Sequence, residues 1–101
     1  MGFISVPDEP TGKKFARELV EKDFAACVKV LTGLTSYYKW EGKLEEDNET
    51  YIIVKSIKER VQDIDSYVKS NHSNYVYEFI YAEVDGNKDY VNWVMTNLIK
   101  K

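Results

Sequence analysis

The side chains suited to holding a transition metal are few: one thiol, Cys27, and one imidazole, His72. A thiolate is a soft ligand that favours copper(I), and imidazole is the commonest protein ligand for transition metals. One thiolate is not a site by itself. It needs His72, a methionine, a carboxylate or equivalent residues from neighbouring subunits. Met1 is terminal, and Met95 falls on a helical stripe that reads as core. Cys27 also reads more simply, as a small buried hydrophobe at the start of a strand. His72 stands where a helix is expected to end, and there an imidazole can bond the last free carbonyls and suit the helix dipole.

Glu45, Glu46, Asp47 and Glu49 offer oxygen ligands for a hard cation. The run lacks the alternate ligand positions and central glycine of an EF-hand-like loop. It reads instead as a solvated, charged strand edge that discourages edge-to-edge aggregation. Glu41, Lys55 and Glu78 are charged residues beside aromatic ones, and Tyr38, Trp40 and Tyr51 could line a pocket between subunits. Interface packing is the simpler role for all of these. Nothing supports catalysis: the sequence has no nucleophile elbow, no glycine-rich phosphate loop and no set of residues for a triad. The expected protein is not an enzyme.

The elements that position these groups centre on residues 36–55, a long β-hairpin turning at Glu41-Gly42. Gly42 takes the positive φ of a tight turn without a Cβ penalty. Tyr37, Tyr38 and Trp40 load one arm with aromatic surface, and Tyr51-Ile52-Ile53-Val54 is apolar at every position. A strand of that kind has both faces covered, whereas a half-exposed strand alternates. Before the hairpin, Phe3 to Val6 reads as a short strand. Asp8 caps a helix whose first turn tolerates Pro10 and whose stripe is Phe15, Ala16, Leu19 and Val20. Ala25 to Leu31 is a second strand, bulged at Thr32-Gly33 and resumed at Leu34. Tyr51 to Ser56 is the third. Ile57, Val61, Ile64 and Val68 mark a second helix over 57–70, ending at Asn71-His72-Ser73-Asn74. Tyr75 to Val84 is a fourth strand, apolar on both faces at Phe79-Ile80-Tyr81-Ala82. After a turn at Asp85-Gly86-Asn87, a closing helix carries Tyr90, Val94 and Leu98.

This order is β-α-β-β-α-β plus a last helix. It predicts an α+β, ferredoxin-like split β-α-β fold: one antiparallel sheet, two helices on one face, an extended central hairpin and a C-terminal helix. Residues 1–101 form one domain on this reading. The sheet's other face should meet water, yet three strands are too apolar for that. A homo-oligomer formed through the sheets, with the hairpin reaching onto a neighbour, is therefore expected.

The net charge of −3 gives no reason to expect nucleic acid or an anionic membrane surface as a partner. No apolar run reaches the roughly 20 residues of a membrane span, and no secretory signal pattern opens the chain. A single cysteine fits a reducing compartment, so a cytoplasmic location is expected.

Four stretches in order carry a family resemblance: Pro7-Asp8-Glu9, Ala25-Ala26-Cys27-Val28, Trp40-Glu41-Gly42-Lys43, and Gly86-Asn87 with Tyr90 and Trp93. With Lys55 and His72, they make the whole chain resemble the CutA family of divalent-cation tolerance proteins. The resemblance implies a tight homotrimer of ferredoxin-like subunits, related in architecture to trimeric signalling proteins of nitrogen regulation. It implies tolerance to divalent metals, with copper binding ascribed to some members, and no enzyme activity. It also implies an unidentified protein partner as an alternative, since some animal relatives are linked to anchoring acetylcholinesterase. Glu41, Lys55 and Glu78 match family positions. The alternative reading is a trimeric signalling or interaction scaffold that binds a small molecule or protein in its intersubunit cleft. The family's His-Pro-Tyr-Glu-Val-Pro-Glu-like run is here His72-Ser73-Asn74-Tyr75-Val76-Tyr77-Glu78, without either proline, so this loop should be less rigid. The first strand reads short for the family, so the native chain is expected to begin upstream. Acylphosphatases share the fold class and need an arginine in the loop after the first strand. Here Pro7-Asp8-Glu9-Pro10 would repel phosphate.

Overall fold

The hairpin anticipated over residues 36–55 is the longest feature of the computed structural model, which describes residues 1–99. Its arms are β2 (Cys27–Trp40) and β3 (Lys43–Lys55), antiparallel and closed by the pair Trp40↔Lys43. Glu41 and Gly42 both have positive φ, 52° and 80°. Two consecutive left-handed residues are what a two-residue turn needs to match strand twist. Gly42 adopts that conformation freely, whereas Glu41 does so at a steric cost.

Four strands form one sheet in the order β2-β3-β1-β4, with β1 at Gly2–Val6 and β4 at Phe79–Tyr81. Every neighbouring pair is antiparallel. Among the described residues there are three α-helices: α1 (Glu9–Glu21), α2 (Val61–Asn71) and α3 (Lys88–Ile99). This is the expected α+β arrangement.

Alternation along β1 and β3 divides the sheet's faces. Ile4, Val6, Ile52 and Val54 are fully buried, and they share the core with Phe15 and Leu19 of α1 and Ile64, Tyr67 and Val68 of α2. Burying such side chains contributes about 1.5–3 kcal/mol each. Asp8 caps α1 by accepting a hydrogen bond from the Thr11 N–H at 2.9 Å. The Tyr67 hydroxyl donates to Glu18 and ties α2 to α1, and its ring meets Phe15 edge-on at 5.2 Å.

The other face carries Phe3, Tyr51 and Ile53, all half-buried, and Leu31 and Ile80, which are exposed in the single chain. The strand Tyr51–Val54 is therefore covered on its helix side and only partly on the other. The expected bulge is present. Register passes from Leu31↔Tyr51 to Leu34↔Glu49, so Thr32 and Gly33 together oppose Thr50, and Gly33 has φ 78°. The extra residue keeps Leu31 and Leu34 on the same, outward face.

Two boundaries differ from expectation. The fourth strand was expected over Tyr75–Val84, but β4 spans Phe79–Tyr81 only, with Phe79 half-buried and Ile80, Tyr81 and Ala82 exposed. As an edge strand its one neighbour is β1, whose five residues offer few partners. The second helix was expected from residue 57. A 3₁₀ turn occupies Lys58–Arg60, and α2 begins at Val61.

Gly12 sets how closely α1 approaches the sheet. A Cβ there would lie 2.9 Å from the Thr50 methyl and 3.4 Å from methyls of Val30 and Val6. Overpacking at such a contact exceeds what any gain in helix propensity returns. Gly12→Val should destabilise the chain by about 1–3 kcal/mol in urea denaturation. An unchanged midpoint would show that α1 can move away from the sheet at little cost.

Candidate functional site

Cys27 is the first residue of β2, half-buried and opposite Lys55 of β3. The Tyr90 phenol of α3 has its pKa raised above the ordinary value, by burial first and then by its interaction with the Cys27 thiol. The Lys55 ammonium lies over the Tyr90 ring, 5.4 Å from its centroid. Cys27, Lys55 and Tyr90 thus form one cluster, and Tyr90, which the sequence reading placed on a helix stripe and in a family stretch, was not expected beside the other two.

His72 follows the last turn of α2. Its Nδ1 accepts from the Asn74 N–H at 3.0 Å, which leaves the proton on Nε2 to donate to the Ser5 carbonyl at 2.7 Å. The ring stacks on Tyr77 at 5.8 Å and meets Phe15 edge-on at 6.2 Å. Both nitrogens are therefore engaged in tying α2's end to β1. The two metal candidates are not brought together within the chain. Cys27 pairs with Lys55, whereas Ser5, which His72 bonds, pairs with Tyr51. That is a separation of roughly 13 Å along β3 alone. Among the described residues, no group of three or more His, Cys, Asp or Glu side chains is placed to hold a metal ion.

A second cluster lies on the outward face beside the bulge. The Tyr51 hydroxyl donates to Glu78. Glu49 accepts from Ser5 Oγ at 2.7 Å and from Ser36 Oγ, and so links β1 to β2 across β3. Leu34, Thr35, Ser36, Glu49, Tyr51 and Glu78 enclose a recess of about 240 Å³. The fold thus brings together Tyr51 and Glu78 of the expected cleft. Tyr38 sits further along the arm and donates to Asp47. Trp40, 53% exposed, and Glu41 stand at the hairpin tip, away from the recess.

Glu49 corrects the reading of residues 45–49 as wholly solvated: it is half-buried and hydrogen-bonded by two serines. Its position two residues before Tyr51 places both on one face, so alternation alone carries that signal. Ser36 could not be found the same way, because the bulge shifts its register against β3.

Comparison with known proteins gives one answer throughout. The family described as CutA1 divalent ion tolerance protein matches residues 1–97. The chain is 40% identical over 93 residues to Protein CutA homolog of Xenopus laevis, covering 91% of this chain and 62% of that protein. Against Protein CutA of Homo sapiens the identity is also 40%, with 91% of this chain and 52% of the human protein covered. The chain therefore spans roughly half to three-fifths of the length of these relatives. It is 36% identical to the divalent-cation tolerance protein CutA of Yersinia pestis, over 96% of this chain and 82% of that one. Among solved structures, the divalent cation tolerance protein of Thermus thermophilus superposes with a TM-score of 0.90 at 35% identity, covering 95% and 94% of the two chains. A protein from Archaeoglobus fulgidus titled as a periplasmic divalent cation tolerance protein superposes at 0.91 with 28% identity, over 96% and 95%. No helix among the described residues is long and apolar enough to cross a membrane.

The tyrosine–carboxylate bonds predict a pH dependence. Burial and the hydrogen bond to Glu78, with Glu78 and Glu49 charges adding, push the Tyr51 phenol up to about 12. The bond to Asp47 chiefly pushes Tyr38 to about 12, and burial, with the bond to Glu18, raises Tyr67 as well. An unfolded tyrosine titrates near about 10. The folded state holds these protons more tightly, so their stabilisation is complete below about pH 10 and is lost as pH climbs towards the folded values. Denaturation stability should fall between about pH 10 and 12, and Tyr51→Phe should make the fall shallower. An equally steep fall in the variant would exclude Tyr51 as a source.

Proposed function

The chain belongs to the CutA1 divalent ion tolerance family, and we propose that it acts as a non-enzymatic homotrimer binding divalent metal, copper first, in the response to metal ions. The observation that carries this reading is the family match over residues 1–97 together with a fold superposing at TM-scores near 0.9. Residues 1–101 act as one domain in this reading, in the cytoplasm, with neither nucleic acid nor membrane as partner.

The surface supports association. Tyr37, Trp40 and Leu44 on the hairpin and Leu31, Leu34 and Ile80 on the outward sheet face are all exposed in the single chain. Exposed apolar side chains on both faces of the arm and on the sheet are surface that association would cover. The threefold count comes from the family resemblance.

Cys27 is the first metal ligand of the proposal. A lone thiolate calls for further ligands, and a threefold assembly can supply equivalent residues from neighbouring subunits. His72 is the second candidate and joins only by giving up its bond to Ser5 or to Asn74. A second reading, a scaffold whose intersubunit cleft takes a small molecule or protein, draws on Tyr38, Trp40, Glu41, Tyr51, Lys55 and Glu78. The recess beside Tyr51 and Glu78 favours it.

Copper titration of the intact protein and of Cys27→Ala and His72→Ala separates these contributions. Loss of the thiolate should weaken binding about tenfold or more, as removal of a charged ligand group does. His72→Ala should weaken binding less and lower thermal stability, because its hydrogen bonds hold α2's end to β1. Unchanged affinity in both variants would overturn the site.

A further inference from the structure

A groove of about 1010 Å³ separates α3 from the body of the fold. Ile57, Val61 and Ile64 line it from the start of α2, and Val91 and Met95 line it from α3. Its size and apolar lining are those of a site for an organic ligand.

The charged residues around it differ in one respect. Lys58, Glu59, Glu83 and Asp85 are exposed, whereas Lys55 is half-buried and the Met1 ammonium, also on the lining, is already engaged with the Ala82 carbonyl at 2.8 Å. Among the described residues, no carboxylate pairs with the Lys55 ammonium; its contact is the Tyr90 ring at 5.4 Å. A cation–π contact uses the charge but none of the ammonium's N–H donors. An anion at that point would supply the missing partner through a charge-assisted hydrogen bond.

We infer that this groove binds an amphipathic organic monoanion, a carboxylate on an apolar chain, with the carboxylate at Lys55 and the chain between α2 and α3. The inference gives a ligand class to the small-molecule reading of Lys55 and stands independently of copper binding.

The test is calorimetric titration of the purified full chain with decanoate, decylammonium and decanol below their aggregation concentrations. Decanoate should bind at least about tenfold more tightly than decylammonium. Lys55→Met should weaken decanoate about tenfold and leave decanol within about twofold. Val91→Trp, which fills the groove, should abolish binding of both. No decanoate binding by the intact chain overturns the proposal. So does equal affinity for decanoate and decylammonium, or decanoate affinity unchanged by Lys55→Met.

Discussion

Pairing of β3 on both sides fixes where every other group lies. Its inner half runs between β1 and β2 from Thr50 to Val54, while its outer half pairs with β2 alone. Ile52 and Val54 point into the helix-covered core, so Tyr51, Ile53 and Lys55 must point the other way. A one-residue slip would exchange these sets and place Lys55 in the core. The bulge at Thr32-Gly33 is the one departure from that register, and it serves the outward face. It brings Ser36 beside Glu49, whose carboxylate also holds Ser5 of β1.

Two consequences for function follow from this geometry. The outward face is incompletely covered by the chain itself, and the arm beyond the sheet has no helix against it. Leu44 is 71% exposed there, apolar surface that association would take out of water. The chemistry-bearing residues are also divided between ends of the sheet. Cys27, Lys55 and Tyr90 gather at one end, and His72 lies at the other. A site using both Cys27 and His72 would have to be completed across subunits, which gives the proposed assembly a chemical as well as a packing role.

The sequence made the element order, the bulge, the hairpin turn and the faces of the helices legible, because each has a local cause. Periodicity located Phe15, Leu19, Ile64 and Val68, and all four are buried, whereas Val20 on the first stripe and Met95, read as core, are exposed. The fourth strand was over-read, because the apolar pattern of Tyr75–Val84 cannot reveal that its one neighbour is five residues long. The candidate site was legible residue by residue and not in its grouping. Tyr51 and Glu78 meet, as do Cys27 and Lys55, but the partners Ser5, Ser36 and Tyr90 come from other elements. Such contacts depend on register and on helix docking, and neither is a local property of the chain. His72 was read as either a helix-end residue or a ligand; its nitrogens bond the Ser5 carbonyl of β1 and the Asn74 N–H rather than the last carbonyls of α2.

The central claim is that the exposed arm and outward face are assembly surface. Sedimentation equilibrium at micromolar concentration tests it most directly, with the intact chain run beside a variant carrying Trp40→Ser and Leu44→Ser. The account predicts a single species of three times the chain mass for the intact protein and a shift to lower mass for the variant. A monomer of the intact chain across that concentration range would contradict it.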